Sequence, residues 1–343
     1  QLKVTNWVDL TDQGRVDLSP AVVEAGWVDL PDIVFNLGEY ISRSGRVHYG
    51  LLDPARLPVK LQSGSRKVLV VAWDARHAGV YDTVLIDLNG NGRVDDEKPL
   101  PSYVNTYEYA SFLTQDGKPF NFVISHISPA GNYVKLGFDA IGHGTKVAGV
   151  LAGNGLLQGV APGAQLAVIK VFDNFAGNDL GRLKEAIRLA ANMGVQVVNL
   201  SLGYTELPEN GRQELETLIN EISTSKGITF CISAGNLGPG LGSVTSPADS
   251  QKGISVGGYL SPAIWSSNYG WQVTQPTLWQ FSSVGPYAGG IAPLVVAPAS
   301  ATATDVQWRS EYALEEGTSI AAPYAAGGVA LLIQAARQEG ITV

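Results

Sequence analysis

Gln165-Leu166-Ala167-Val168-Ile169-Lys170-Val171 is an apolar run too short for a helix and rich in β-branched residues, and it reads as a buried strand. Leu180, Leu183, Ile187 and Ala191 then recur on one helical face. The pattern returns to strand over 195–200, to helix from about 212 to 226, and to strand over 227–232. This alternation predicts an α/β fold, a mostly parallel sheet with helices on both faces in three layers. Short strands are expected over 253–258 and 294–297, and a helix of small residues over 319–337. In such sheets ligands gather at the C-terminal ends of the strands, and Asn236 directly follows one of them.

Upstream the pattern changes. Residues 1–130 are turn-rich and polar, with strand-like runs at 66–73, 83–86 and 120–127, and read as a β-rich insert beside a core over 131–343. Asp87, Asn89, Asn91 and Asp95 space oxygen side chains around Gly92 as a calcium loop would, although the twelfth position is Lys98 rather than a bidentate glutamate. An Asn-Gly hairpin turn accounts for the same residues.

Whole-chain properties narrow the functional classes. With 343 residues the chain can bury a large core. Its 23 Lys plus Arg against 31 Asp plus Glu give a net charge of -8, which argues against a nucleic-acid surface. No stretch reaches the roughly 18 apolar residues of a membrane span, and no membrane partner is expected. Cys231 is the single cysteine, so no internal disulfide forms and the redox compartment stays open.

Three segments carry chemistry. Ser319 follows Gly317-Thr318 at a helix start whose first turn is expected to hold Ala321, Ala322 and Pro323, and a helix N-terminus favours developing negative charge. Taken alone, it is an N-capping serine. His143 lies between Gly142 and Gly144 at the start of an amphipathic helix, where small neighbours let an imidazole face a groove and accept a hydroxyl proton. His48, His77 and His126 fall in the less regular half and read as structural. Asn236 ends Ser233-Ala234-Gly235-Asn236, where its amide can meet an oxygen that becomes negative during acyl transfer.

Gly142-His143-Gly144-Thr145-x-Val147-Ala148-Gly149, Ser233-Ala234-Gly235-Asn236 and Gly317-Thr318-Ser319-x-Ala321-Ala322-Pro323 resemble, in family order, the three signature segments of the subtilisin-like serine peptidases. Val198-Asn199-Leu200-Ser201-Leu202-Gly203 is similar to the strand on which that family lays its peptide substrate. The resemblance implies a subtilisin-like fold and a serine peptidase acting on polypeptides, endopeptidase or tripeptidyl peptidase, with no required cofactor. It assigns His143 as base, Ser319 as nucleophile, Asn236 as oxyanion donor, and Ser201, Leu202 and Gly203 as substrate-binding residues. An esterase of the α/β-hydrolase type does not fit, because Ser319 is not in a Gly-x-Ser-x-Gly elbow. A non-catalytic peptide-binding relative is the alternative.

The N-terminal segment Lys3-Val4-Thr5-Asn6-Trp7-Val8-Asp9-Leu10-Thr11 resembles the stretch on the C-terminal side of the catalytic aspartate in the tripeptidyl-peptidase II and pyrolysin branch, and pieces over 44–50, 86–92 and 108–112 resemble that branch's insert between aspartate and histidine. In this register the triad aspartate lies upstream of Gln1, the core is cut short at both ends, and the chain alone is a feeble peptidase. Asp74, which ends the apolar run Val68-Leu69-Val70-Val71-Ala72-Trp73, is the rival acid, followed by Ala75-Arg76 instead of the family's Thr-Gly or Ser-Gly.

Overall fold

Strands β1 (Val4–Asp9) and β2 (Leu166–Lys170) form one parallel ladder, and β3 (Val197–Leu200), β4 (Thr229–Ser233), β5 (Ile254–Leu260) and β6 (Val295–Pro298) form a second in that spatial order. The computed structural model describes residues 4–173, 179–286, 290 and 292–342. Among the described residues five helices accompany these strands in the core: α1 (His143–Ala152), α2 (Leu180–Asn192), α3 (Glu209–Lys226), α4 (Pro262–Tyr269) and α5 (Thr318–Gln338). Asp179 caps α2 by accepting the Arg182 N–H at 2.7 Å, and Gly227, in the left-handed conformation, ends α3.

Strand β4 shows why the sheet is covered twice. Its side chains alternate, sending Phe230 and Ile232 to α2 and α3 through Leu183, Ile187, Leu215 and Ile219. Cys231 points the other way, with Val256 and Ala297, onto Ala321, Ala322 and Ala326 of α5. The small residues of α5 let the helix lie close on the sheet, and burial pushes the Cys231 thiol up to about 12, which marks it as structural. The three-layer α/β expectation holds.

The expected continuous sheet is interrupted. Among the described residues no ladder joins β2 to β3. Every residue of β2 and all of β3 except Leu200 are only half-buried, whereas β4 is buried from Phe230 onward. Both strands have the sequence of central strands and the surroundings of edges.

Among the described residues the insert holds three antiparallel sheets, the smallest being the Trp27–Leu30 and Ile33–Asn36 pair. The two larger sheets form its body. One orders Ser19–Val22, Arg46–Leu52, Val68–Trp73, Thr83–Ile86 and Leu100–Pro101; the other orders Ala110–Leu113, Pro119–Ile127, Tyr133–Gly137 and Arg15–Asp17. Val70, Val84 and Ile86 from the first meet Phe112, Phe120, Phe122 and Leu136 from the second in one core. Leu69, Val71 and Trp73 face the opposite way, where Val28, Phe35 and Leu37 cover them. Val68–Trp73 is therefore buried on both faces, which explains its unbroken apolar sequence. Strands cross the expected division at residue 130 in both directions: β1 ladders with the core, while Tyr133–Gly137 ladders with the insert, whose strands span 15–137.

An antiparallel hairpin of β7 (Ser300–Thr304) and β8 (Tyr312–Glu316) leads into α5. α4 ties to it through the Tyr269 hydroxyl, which donates to Glu316 Oε2 at 2.6 Å. Contrary to the sequence-based expectation, α5 is long and apolar enough by length and composition to cross a membrane. Ile320 to Pro323, Ala326 and Gly327 are buried and the helix packs on β3, β4, β5 and β6, so the apolarity of its first half serves the core, whereas Leu331 and Leu332 in its second half are exposed.

Candidate active site

Ser319 lies in the first turn of α5, behind Gly317 at φ +146°. Pro323 is the sixth residue of that helix rather than part of its first turn, and the shift has a consequence. In an α-helix the N–H of residue 323 would bond the carbonyl of residue 319, and proline has none. The Ser201 hydroxyl fills that role, donating to the Ser319 carbonyl at 2.6 Å, and itself accepts from Asn199 Nδ2 at 3.0 Å. Ser201 thus buttresses the nucleophile's helix, a role separate from the substrate contact expected of it.

Asn236 leaves the end of β4 and is oriented from α5. Its Oδ1 accepts the Thr318 N–H at 3.0 Å and the Thr318 hydroxyl at 2.8 Å, and the Thr318 hydroxyl accepts the Gly235 N–H at 3.1 Å. With the oxygen taken by Thr318, Nδ2 is the amide atom left to donate to a further acceptor. A Cβ placed on Gly317 would lie 3.2 Å from Ser319 Oγ and 3.3 Å from Asn236 Nδ2, so hydroxyl and amide converge on the space that this glycine keeps open. Thr318 was not singled out from the sequence. The signal available was a hydroxyl residue beside the candidate nucleophile, which alone does not distinguish an orienting role from a capping one.

His143 opens α1 behind Gly142, whose φ of +81° makes the tight entry. Asp139 fixes that entry: Oδ1 accepts the N–H groups of Ile141 at 3.0 Å and Gly142 at 2.8 Å, and Oδ2 accepts the Thr145 N–H at 3.1 Å and hydroxyl at 2.6 Å. Burial holds the imidazole below its ordinary range, while Glu315 and Asp139 pull it up and Lys146 lowers it further. A base kept neutral near pH 7 is ready to accept a proton. α1 packs against α5, with Val150 and Ile320 sharing a cluster, so base and nucleophile sit on adjoining helices. Among the described residues the hydrogen bonds do not include one from Ser319 Oγ to the His143 ring, a bond that commonly tightens only with substrate in place.

Leu202 and Gly203 continue β3 beyond its end, half-buried and exposed respectively. A Cβ on Gly203 would meet Thr245 Oγ1 at 2.6 Å, so the glycine sets the close approach of this segment to the loop after β4. Asp74 is elsewhere, at the end of a central strand of the insert. Its carboxylate is consumed by the Ser42 hydroxyl at 2.6 Å and the N–H groups of Arg43, Ser44 and Gly79 at 3.0, 2.9 and 2.8 Å. The charges acting on His143 are those of Glu315, Asp139 and Lys146, not Asp74. In the turn after Thr83–Ile86, Asp87 accepts the N–H groups of Asn91 at 3.0 Å and Gly92 at 2.9 Å, and the Asn89 and Asn91 amides donate to Asp96. Among the described residues no group of three His, Cys, Asp or Glu side chains is placed to hold a metal.

A profile of the Subtilase family, peptidase S8, matches residues 112–342, which include His143, Asn236 and Ser319. The chain belongs to the subtilase family. Similar proteins include pyrolysin of Pyrococcus furiosus, 29% identical over 99% of this chain and 30% of that protein, and tripeptidyl-peptidase 2 of Arabidopsis thaliana, 33% identical over 98% of this chain and 26% of that protein. The crystal structure of tripeptidyl peptidase 2 superposes with a TM-score of 0.73 over 99% of this chain and 31% of that one, at 20% identity, and so shares the fold. This subtilase chain spans less than a third of the length of these relatives.

Proposed function

We propose that this subtilase is a serine peptidase that hydrolyses polypeptides through an acyl-enzyme. The observation that carries the reading is the convergence of Ser319 Oγ and Asn236 Nδ2 on the space beside Gly317. His143 takes the Ser319 hydroxyl proton as Oγ attacks the carbonyl carbon, and the resulting oxyanion is held by Asn236 Nδ2 and a backbone N–H at the start of α5. His143 returns the proton to the leaving amine, and water then releases the acyl group by the reverse sequence. Ser201 to Gly203 offer backbone along which the substrate adds as a strand, giving affinity without reading side chains.

The acid that orients His143 is assigned to a strand preceding Gln1 in the same polypeptide, running between β2 and β3 and ending in an aspartate. The support is the pair of half-buried strands that flank this position and the full occupation of Asp74 within the insert. Without that acid, turnover by this chain is expected to fall by about 3 × 10⁴. No cofactor enters the chemistry. A calcium ion at Asp87, Asn89 and Asn91 is a separate proposal; a rise in melting temperature with calcium that chelation reverses supports it, and an unchanged melt sinks it.

Fluorophosphonate labelling of the longer parent polypeptide tests the reading. Adduct on Ser319, abolished by Ser319→Ala and slowed by His143→Ala, is the expected result. Absence of adduct in folded parent would leave the fold as a peptide-binding module.

A further inference from the structure

Lys146 lies three residues after His143 and shares its face of α1. The first turn of a helix already carries positive potential from its unpaired N–H groups, so a cation is disfavoured there. This one is also buried, its side chain only 9% exposed. Two carboxylates compensate: Lys146 Nζ lies 2.7 Å from Glu315 Oε2 and 3.9 Å from Asp305 Oδ2. Both come from the β7–β8 hairpin, Glu315 on β8 and Asp305 directly after β7.

That hairpin runs through Glu316 and Gly317 into Ser319. It is fastened to the His143 helix at further points, since the Arg309 guanidinium donates to the Ile141 carbonyl at 2.8 Å and the Thr304 hydroxyl donates to the Thr145 carbonyl at 3.4 Å. The Lys146–Glu315 ion pair, at 2.7 Å, is the shortest contact of this set and reaches from the helix of the base to the strand that feeds the nucleophile. The groups whose charges act on His143 are Glu315 from β8, Asp139 from the turn before α1, and Lys146 from α1 itself.

We propose that Lys146 and Glu315 are positioning residues for the base, strapping α1 to β8 so that His143 is held toward Ser319 while their opposite charges offset one another at the imidazole. The inference rests on the His143–Ser319 reading of the site and adds two residues to it. In the sequence motif around His143, Lys146 is the unspecified position, and its partner lies 169 residues away.

The test is an NMR titration of the His143 ring protons in this chain, with His48, His77 and His126 assigned by substitution. Glu315→Gln removes a carboxylate and leaves the ammonium, so the midpoint moves to lower pH. Lys146→Met removes the ammonium and leaves the carboxylate, so it moves to higher pH. Lys146→Arg leaves it at the wild-type position, and the double variant Lys146→Met with Glu315→Gln returns it toward that position. Midpoints that coincide across all variants, or single-variant shifts in the same direction, overturn the proposal. Should Lys146→Met fail to fold, Glu315→Gln, at a side chain 30% exposed, still decides it. The titration needs no turnover. Unmoved midpoints reject the strap and leave the peptidase reading standing, whereas an unlabelled Ser319 in the parent rejects the peptidase reading alone.

Discussion

An asparagine amide can present either its oxygen or its nitrogen, so an oxyanion donor needs a neighbour that selects the face. Thr318 does so with two hydrogen bonds to Oδ1. Asn236→Ala should slow Ser319 acylation by about 10² to 10³, the usual cost of one oxyanion donor. Thr318→Val keeps the N–H bond and loses the hydroxyl one, so a smaller loss, about tenfold, is expected from misorientation alone. Labelling rates of the folded variants measure both, and a Thr318→Val chain as slow as Asn236→Ala would refute the orienting role. Acidity has a definite sign at His143. Because burial lowers the imidazole, the folded chain binds that proton less readily than the unfolded chain. Its contribution to stability is complete above about pH 6.5 and is lost as pH falls below that value. His143, Asn236 and Ser319 were legible in the sequence because their glycine-rich settings are local. Thr318, Lys146 and Glu315 were not, because each acts through a partner distant in the chain.

Among the elements, α5 carries a proline where its nucleophile's carbonyl needs a donor, and Ser201, directly after β3, supplies the donor from outside the helix. Ser201→Ala should cost about 1 to 3 kcal/mol by leaving the Ser319 carbonyl unsatisfied. Pro323→Ala restores an N–H at the correct spacing, so in that background Ser201→Ala should cost clearly less. Chemical unfolding of the two single variants and the double variant closes the cycle, and strictly additive losses would refute the link. In the insert, Phe120 joins the two larger sheets from full burial, and Phe120→Ala should cost about 3 to 5 kcal/mol. The same insert shows where sequence reading of elements fails. Val68–Trp73 reads as an apolar strand ending in an acid, the pattern of a core parallel strand, because burial on both faces erases the period-two signal that would mark it as antiparallel. The hairpin β7–β8 was missed for the opposite reason: Ser300–Thr304 alternates small polar and small apolar residues with little contrast.

At the scale of the whole molecule, the interruption between β2 and β3 connects the fold to the chemistry. Parallel strands of α/β sheets are normally buried on both faces and bonded on both edges. Among the described residues β2 ladders with β1 alone and β3 with β4 alone, so each presents one edge without a ladder partner. The core motifs and helices were legible because helix and strand periods are local, whereas the interruption was visible only in the pairing. A strand inserted at this position would complete one continuous parallel sheet and bring its C-terminal end to the region that Asn236 reaches from β4. Amide exchange can therefore locate the proposed acid. In this chain the N–H groups of β3 that point away from β4, and those of β2 that point away from β1, should exchange within the range of exposed edges. In the parent polypeptide carrying the preceding segment the same amides should be protected, and fluorophosphonate labelling of Ser319 should accelerate by about 10³ to 10⁴. Substituting the aspartate that ends the protecting strand by alanine should keep the protection and abolish the acceleration. If the preceding segment leaves these amides exchanging as before, the strand and the acid it delivers lie elsewhere, and the triad assignment fails with them.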